Sequence, residues 1–307
     1  DSQSASDQDD YANIFGVEAH LASSSLSVSD YRCNPSQTLT FSGYWYYDGT
    51  SIYPPDGNYA VAVKLSGVQK GSTDTTLVSG AFSISDVTAE ATVGSYSYTV
   101  EATYMASAGS FSTVKVDKLE FWQWGTTDSD RLVNKGDSAR IWVKARYNID
   151  SSAFTSGFLS INGTAATYSS GDGYWYADIA VSSVANKTFA VSSFTDSAYG
   201  LTTSVETGSK VYVQWTELTA SLSSVSGPSG TYQTLVNVTL TWTHNSSAVN
   251  TPTVYLWSGS VCIGQATGNA TGFASITSNA TLHGAGSLTV NGTKVGIKVN
   301  TALSLPY

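Results

Sequence analysis

ARIWVKARYNIDSSAFTSGFLSINGTAATYSSGDGYWYADIAV, residues 139–181, carries the clearest structural pattern in the chain. Ala139, Ile141, Val143, Ala145 and Tyr147 alternate with Arg140, Trp142, Lys144 and Arg146. A period of two places one set on each face of a β-strand. Residues 148–152 (NIDSS) break the run, and a second apolar run covers 158–161. It ends at Asn162-Gly163, a pair suited to a type I′ hairpin because both central residues take φ > 0. Residues 164–168 follow, then a Ser-Ser-Gly-Asp-Gly turn, after which Trp175, Ala177 and Ile179 alternate with Tyr174, Tyr176 and Asp178. Four short strands separated by turn residues predict part of a β-sandwich.

Working outward, the break at 148–152 has counterparts. YYDGTSIY from Tyr46, NIDSSAFT from Asn148 and THNSSAVN from Thr243 align Asp48, Asp150 and Asn245, 102 and 95 residues apart. A second acidic marker is Glu18, Glu120 and Glu217, 102 and 97 apart. Two markers with nearly one period predict repeats of about 100 residues, the size of an immunoglobulin-like sandwich. The expected fold is all-β: three tandem immunoglobulin-like β-sandwich domains at 15–116, 117–214 and 215–307. Residues 1–14 precede them as a flexible tail or the start of a donor strand. Residues 114–121 and 211–218 hold no Gly/Pro/Ser linker and read as strands entering the next domain, so a stiff, elongated rod is expected.

Composition fits an exported β-protein. Charged residues are 12 %, aromatics 12 %, and the net charge is −9. Thr, Val and Tyr suit a pleated, half-buried surface. The acidity argues against nucleic acid, whose binding requires neutralised phosphates, and against anionic membranes. No apolar run reaches the length of a membrane span. The chain opens on Asp1 without a Met or an apolar leader, which reads as an export signal already removed. With no sorting motif or hydrophobic tail, retention at a surface is expected to come from assembly.

Nothing in the sequence points to catalysis or to a cofactor. His20, His244 and His283 lack metal-ligand spacing. Asp128 with Asp130, and Asp7 with Asp9 and Asp10, suit solvated loops better than a calcium site. GxSxG, P-loop and GxGxxG motifs are absent. Seven N-x-[ST] sequons, at Asn162, Asn186, Asn237, Asn245, Asn269, Asn279 and Asn291, all follow residue 160. They predict N-glycans over the second and third domains, with Asn162 disfavoured by its tight hairpin position; the bland alternative is Asn in the turns of a Ser/Thr-rich chain. Trp45, Tyr46, Trp122, Trp124, Tyr174 and Tyr176, if exposed, offer ring faces for sugars; core packing or a subunit interface is the alternative. Cys33 and Cys262, in the first and third domains of a rod, lie too far apart for a disulfide within one chain. Oxidation in an exporting compartment would then join Cys33 of one copy to Cys262 of the next, a head-to-tail contact that builds a filament. Two free thiols are the alternative.

The segments GDSARIWVKARYNIDSSAFTSGFLSINGTAATYSSGDGYWYADI and SKVYVQWTEL resemble the immunoglobulin-like (Big-type) repeats of archaeal and bacterial surface proteins. Such repeats carry a V-x-V-x-A-x-Y strand, a D-x-x-P/A turn, a G-x-V-x-I-N-G hairpin and a G-x-W-x-A strand; Ala153 stands where the turn proline is usual. The likeness is good over 117–215 and weaker in the flanks. It is greatest to glycosylated archaeal extracellular filament or envelope proteins. It implies a structural subunit of an extracellular, pilus- or thread-like filament, with copies of itself and covalent N-glycans as its partners. In such filaments a terminal strand completes the neighbour's sandwich, because an unpaired edge accepts main-chain hydrogen bonds from another chain. Tyr11, Phe15, Val17, Ala19 and Leu21 share a face, with Asn13 the exception, and form the preferred donor; residues 295–303 form the second candidate. A monomeric cell-surface adhesin or S-layer-associated glycan-binding module is the alternative.

Overall fold

A computed structural model describes residues 21–47, 51–53, 60–74, 78–102, 105–128, 131–226, 235–278, 287–299 and 303–306. All regular elements among them are β-strands, as expected of an all-β, immunoglobulin-like chain. The strand Ser138–Tyr147 buries Ala139, Ile141, Val143, Ala145 and Tyr147 and turns the alternate residues outward. It pairs antiparallel with Tyr174–Ala180, with Ile141 opposite Ala177 and Val143 opposite Trp175. The sheet containing it runs Thr167–Ser169, Tyr174–Ala180, Ser138–Tyr147, Leu119–Thr126, Ser204–Glu206. Asn162 (φ 46°) and Gly163 (φ 83°) make the hairpin that the sequence predicts.

The chain divides into two compact units. One is Asp1–Trp122 with Ala145–Phe158 and Phe194–Thr207; the other is Gln123–Lys144 with Leu159–Ser193 and Gly208–Tyr307. In the first, the strands Leu21–Val28, Thr38–Tyr47 and Ala81–Thr88 form one antiparallel sheet. A second sheet runs Val68–Asp74, Val61–Leu65, Tyr98–Ala102, Met105–Ser110. Leu39, Phe41, Trp45, Val61, Val63 and Tyr98, all fully buried, belong to one core between them. Burial of a side chain of this size contributes about 1.5–3 kcal/mol. In the second unit, Leu218–Ser226, Leu235–Trp242 and Phe273–Thr277 form one sheet. In the other, Val261–Thr267 is the edge strand, followed by Thr253–Ser258 and Ser287–Lys294. Val236, Val238, Leu240, Val254, Leu256 and Val290 share that core.

The alternation over 295–303 does not make one strand. Ser287–Lys294 turns at Val295 (φ 51°) and Gly296 (φ 78°) and returns as Ile297–Lys298. Leu303–Pro306 then pairs with the 287–290 end of Ser287–Lys294. The turn needs two positive φ values, and a β-branched residue pays for the first of them in steric strain. Val295 is 61 % exposed, so its side chain gives little packing in return. Val295→Asn is therefore expected to raise stability by about 1 kcal/mol, read as a higher urea midpoint; an unchanged or lower midpoint contradicts the strain.

Candidate functional site

The features with the most chemistry are two polar junctions, one within each unit, built on a recurring corner. Residues 148–152 fold so that Tyr147 N donates to Ser152 O (2.8 Å) and Ser151 N to Tyr147 O (2.9 Å). Ser151 has φ 58°, and Asp150 Oδ1 accepts from Ser152 N (3.2 Å) and Oγ (2.6 Å). The same corner returns later in the chain. Trp242 N donates to Ser247 O (2.8 Å), Ser246 N donates to Trp242 O (2.7 Å), and Ser246 has φ 56°. Asn245 Oδ1 accepts from Ser247 N (2.9 Å) and Oγ (2.7 Å). Asp150 and Asn245 are thus structural counterparts, as the sequence alignment holds. In the first repeat Tyr47 N donates to Ile52 O (2.9 Å), while Asp48 lies outside the described residues.

The glutamate marker is corrected. Asn148 N donates to Lys118 O and Thr243 N to Glu217 O, so Lys118, not Glu120, is the counterpart of Glu217. The recurring residue is the leucine that follows, Leu119 and Leu218, both buried. Leu21 pairs with Tyr47 as Leu218 pairs with Trp242. Glu120 is engaged elsewhere, accepting from Arg146 Nε (2.6 Å) and Thr207 Oγ1 (2.6 Å).

At the first junction, Arg32 is only 8 % exposed. Its position is set by the short parallel pairing of Arg32–Cys33 with Val114–Val116. The guanidinium is hydrogen-bonded to Asp150 and lies over the rings of both Tyr147 (4.7 Å) and Tyr199 (4.4 Å), which meet each other edge to face at 5.1 Å, an arrangement that favours a cation. Lys115 Nζ reaches Asp150 at 3.3 Å. Asp117 is fully buried. Its Oδ1 accepts from Lys118 N (2.8 Å) and Ile149 N (3.0 Å), and its Oδ2 has Arg32 Nε at 3.6 Å. Burial pushes the Asp117 carboxyl above its ordinary pKa, against the pull of those backbone bonds and of Arg32. Burial also acts to raise Asp150, but bonds from Ser152, Arg32 and Lys115 win and hold it well below the carboxylate range. Asn34 Oδ1 completes the junction, accepting from Thr202 N (2.7 Å) and Thr203 N (3.1 Å).

The second junction has the same frame and different chemistry. The parallel pairing now sets Leu132 against Gln214 and Asn134 against Thr216. Asn134 Oδ1 accepts from Lys298 N (3.2 Å), as Asn34 does from Thr203. Where the first junction has Arg32, Asp117 and Asp150, the second has Leu132, Thr216 and Asn245. Thr216 Oγ1 meets His244 Nδ1 at 2.9 Å, and Leu132 packs against the apolar core. Its ion pair sits at other positions, Lys135 Nζ to Glu217 Oε2 at 3.0 Å. The sequence pattern does not mark Asp117 or Asn34, and its one signal for Arg32 is that this is the only arginine before Arg131.

The remaining site residues are scattered. Cys33 and Cys262 are free, Cys33 wholly buried and Cys262 exposed. No cysteine pair forms among the described residues, and the Cys33 sulfur lies within the core of its own sandwich, which counts against the expected intersubunit disulfide. Desolvation pushes its thiol up to about 11, which suppresses the reactive thiolate. A thiol reagent is expected to label Cys262 alone in the native protein and both cysteines in denaturant. Native labelling of Cys33, or a polymer released by reductant, contradicts this.

The six aromatic candidates do not form one exposed set. Trp45 and Trp124 are buried. Tyr174 stacks on Trp142 at 5.1 Å, and Tyr176 lies under Arg140 at 4.1 Å, which itself makes two 2.8 Å bonds to Asp178. Tyr46 is half-buried, and Trp122, 36 % exposed, has Arg146 over its ring at 5.1 Å. Among the sequons, Asn162, Asn186, Asn245 and Asn269 are exposed, Asn237 and Asn291 are half-buried, and Asn279 lies outside the described residues. So do Tyr11, Phe15, Val17 and Ala19 of the donor candidate; Leu21 begins the strand Leu21–Val28 and pairs within its own chain. A cleft of about 590 Å³ adjoins the first junction, lined by Tyr31, Arg32, Thr113, Lys115 and Tyr199 among others. Tyr31 and Tyr199 are 47 % and 46 % exposed.

No protein-family model matches the chain, and no curated protein matches it in sequence. Among solved structures it is similar to FdeC, an Escherichia coli adhesin (16 % identity, TM-score 0.36, 94 % of this chain and 96 % of that one). It is also similar to the I-band fragment I67–I69 of titin (12 %, TM-score 0.37, 94 % and 98 %). A third is the three N-terminal domains of Hoc, the highly immunogenic outer capsid protein of bacteriophage RB49 (10 %, TM-score 0.38, 94 % and 95 %).

Proposed function

We propose that this chain is an exported structural protein of the cell surface, N-glycosylated and assembled from copies of itself into an extracellular filament. Its three immunoglobulin-like domains are placed at 15–116, 117–214 and 215–307. The observation that carries this reading is the recurrence of one junction. At both boundaries an asparagine (Asn34, Asn134) accepts backbone N–H groups of the following repeat. The first is closed further by a buried arginine held by two aspartates. A boundary bonded in this way fixes one repeat on the next, which a filament subunit under tension requires. The second donor candidate, 295–303, is already engaged in pairing within its own sheet, which favours the N-terminal donor; the donated strand is then drawn from residues 11–20. Electron microscopy and size-exclusion of the full chain, beside a chain lacking residues 1–20, test this. Polymers from the first and none from the second are expected. A full chain that stays monomeric at all concentrations sinks the filament reading.

The alternative, a monomeric glycan-binding adhesin, draws on the cleft between Tyr31 and Tyr199. Ring faces beside hydroxyl and charged groups suit a sugar. A monomer that binds glycans, with binding lost in Tyr31→Ala, would favour it.

A further inference from the structure

We infer that Asn245 and Asn269 are positions at which this chain takes N-linked sugar, and that Asn162 and Asn237, within the same tripeptide motif, are not. The inference rests on reading the chain as glycosylated and adds where the sugar goes. In the linking step the asparagine Nδ2 attacks the anomeric carbon of an activated glycosyl phosphate donor. The new C–N bond forms as the anomeric C–O bond breaks. The phosphate leaves with the bonding pair, and the amide proton passes to a base of the transferring enzyme. An acceptor therefore needs an exposed Nδ2 that nothing else holds.

Asn245 and Asn269 meet that need in the same way. In each, the side-chain oxygen is the atom engaged. Asn269 Oδ1 accepts from Thr271 N (2.9 Å), Thr271 Oγ1 (2.7 Å) and Phe273 N (3.1 Å), matching Asn245 with Ser247. The hydroxyl two residues on, which defines the sequon, thus donates to the amide oxygen, so the turn is held through Oδ1 and does not use Nδ2. Asn162 is the reverse. Its Nδ2 donates to Thr188 O (3.1 Å) and its Oδ1 accepts from Ala190 N (2.9 Å), so the amide ties the hairpin to residues 188–190. Asn237 Nδ2 donates to Ser224 Oγ (2.8 Å) from the middle of the strand Leu235–Trp242, and its oxygen is buried.

The junction chemistry explains why this corner is available at Asn245 and not at Asp150. Asp150 occupies the corner where Arg32 must be neutralised. In the second junction the cation is replaced by Leu132, no carboxylate is required, and the corner holds an amide with the same turn bonds.

Glycopeptide mass spectrometry on protein isolated from the cells that make it tests the assignment. Sugar is expected on the Asn245 and Asn269 peptides and absent from the Asn162 and Asn237 peptides. Sugar on Asn162 or Asn237 with Asn245 and Asn269 bare overturns the siting while leaving glycosylation intact. No sugar on any of the seven sequons overturns both. Asn245→Asp keeps the turn's acceptor oxygen, as Asp150 does, and removes the nucleophilic nitrogen. It is expected to abolish sugar at 245 with no change in the melting temperature of protein made without glycosylation. A large melting shift would mark Asn245 as a purely structural residue.

Discussion

Arg32→Ala is expected to destabilise the first unit by about 3–5 kcal/mol, the cost of removing one partner from a buried ion pair. Asp117 is fully buried and would keep only its two backbone N–H donors, from Lys118 and Ile149. Tyr147 and Tyr199 would lose the cation over their rings. Asp150 is partly exposed and retains Ser152 and Lys115, so most of the damage falls on Asp117. The pH dependence identifies the cause. Asp117 already has a raised pKa through burial, and loss of Arg32 raises it further. A raised carboxyl pKa takes stability away as pH climbs from the unfolded value, about 3.9, through the folded one. The deficit of the variant should therefore be larger at pH 7 than at pH 4. In the parent, Asp150 works oppositely: its depressed pKa supports folding above about pH 3.9 and loses that support on further acidification.

The second junction supplies the repair. Its counterparts are Leu132, Thr216 and Asn245, so Arg32→Leu, Asp117→Thr and Asp150→Asn together remove the buried charges and install the neutral residues the chain uses there, leaving out only the His244 partner of Thr216. Replacing a buried ionic set by well-packed neutral groups is often neutral or stabilising. The triple variant should recover to within about 1–2 kcal/mol of the parent in urea titration, with a flatter response to pH. A triple variant as unstable as Arg32→Ala would show that the two junctions are not interchangeable in chemistry.

What was legible in the sequence follows from range. The strand Ser138–Tyr147 was readable because alternation is a property of neighbours, and the Asn162-Gly163 hairpin because its φ values are set locally. The corners at Asp150 and Asn245 could be aligned because their bonds close within five residues. Arg32 could not be joined to Asp117 and Asp150 in this way: the contact spans 118 residues to Asp150, and no local pattern encodes the partner. Residues 295–303 misled because Gly296 permits a turn inside an otherwise alternating run. The glutamate marker misled for a related reason, since matching residue type across repeats cannot see a register that hydrogen bonds place two residues away. Trp45 and Trp124 looked available as ring faces because tryptophan in a strand serves core and surface alike; only the packing distinguishes them.

Trp215→Ala should be the most damaging core change in the second unit, by about 3–5 kcal/mol. Trp215 is fully buried, meets Phe189 edge to face at 6.1 Å, and donates from Nε1 to Asp137 O at 2.9 Å. It also lies in the short parallel pairing that sets the second junction, opposite Val133, with Thr216 next in line. Removing the indole opens a cavity and strips the Asp137 carbonyl of its donor at once. Trp215→Phe separates the two losses. The ring and most of the volume stay, so only the missing donor, worth about 1–1.5 kcal/mol, and a smaller void remain. If packing dominates, Phe recovers more than half of the Ala deficit in urea midpoint. If Phe is as unstable as Ala, the Nε1 bond to the 136–138 turn holds the junction, and the indole is a clasp more than a core residue. The same pair of variants reports on order at the junction through hydrogen exchange at Asn134 and Lys298, whose bond at 3.2 Å lies beside the Asn134–Thr216 pairing. Exchange at Lys298 N–H should quicken in Trp215→Ala and stay near the parent rate in Trp215→Phe; equal rates in all three proteins would mean that the core and the junction open independently.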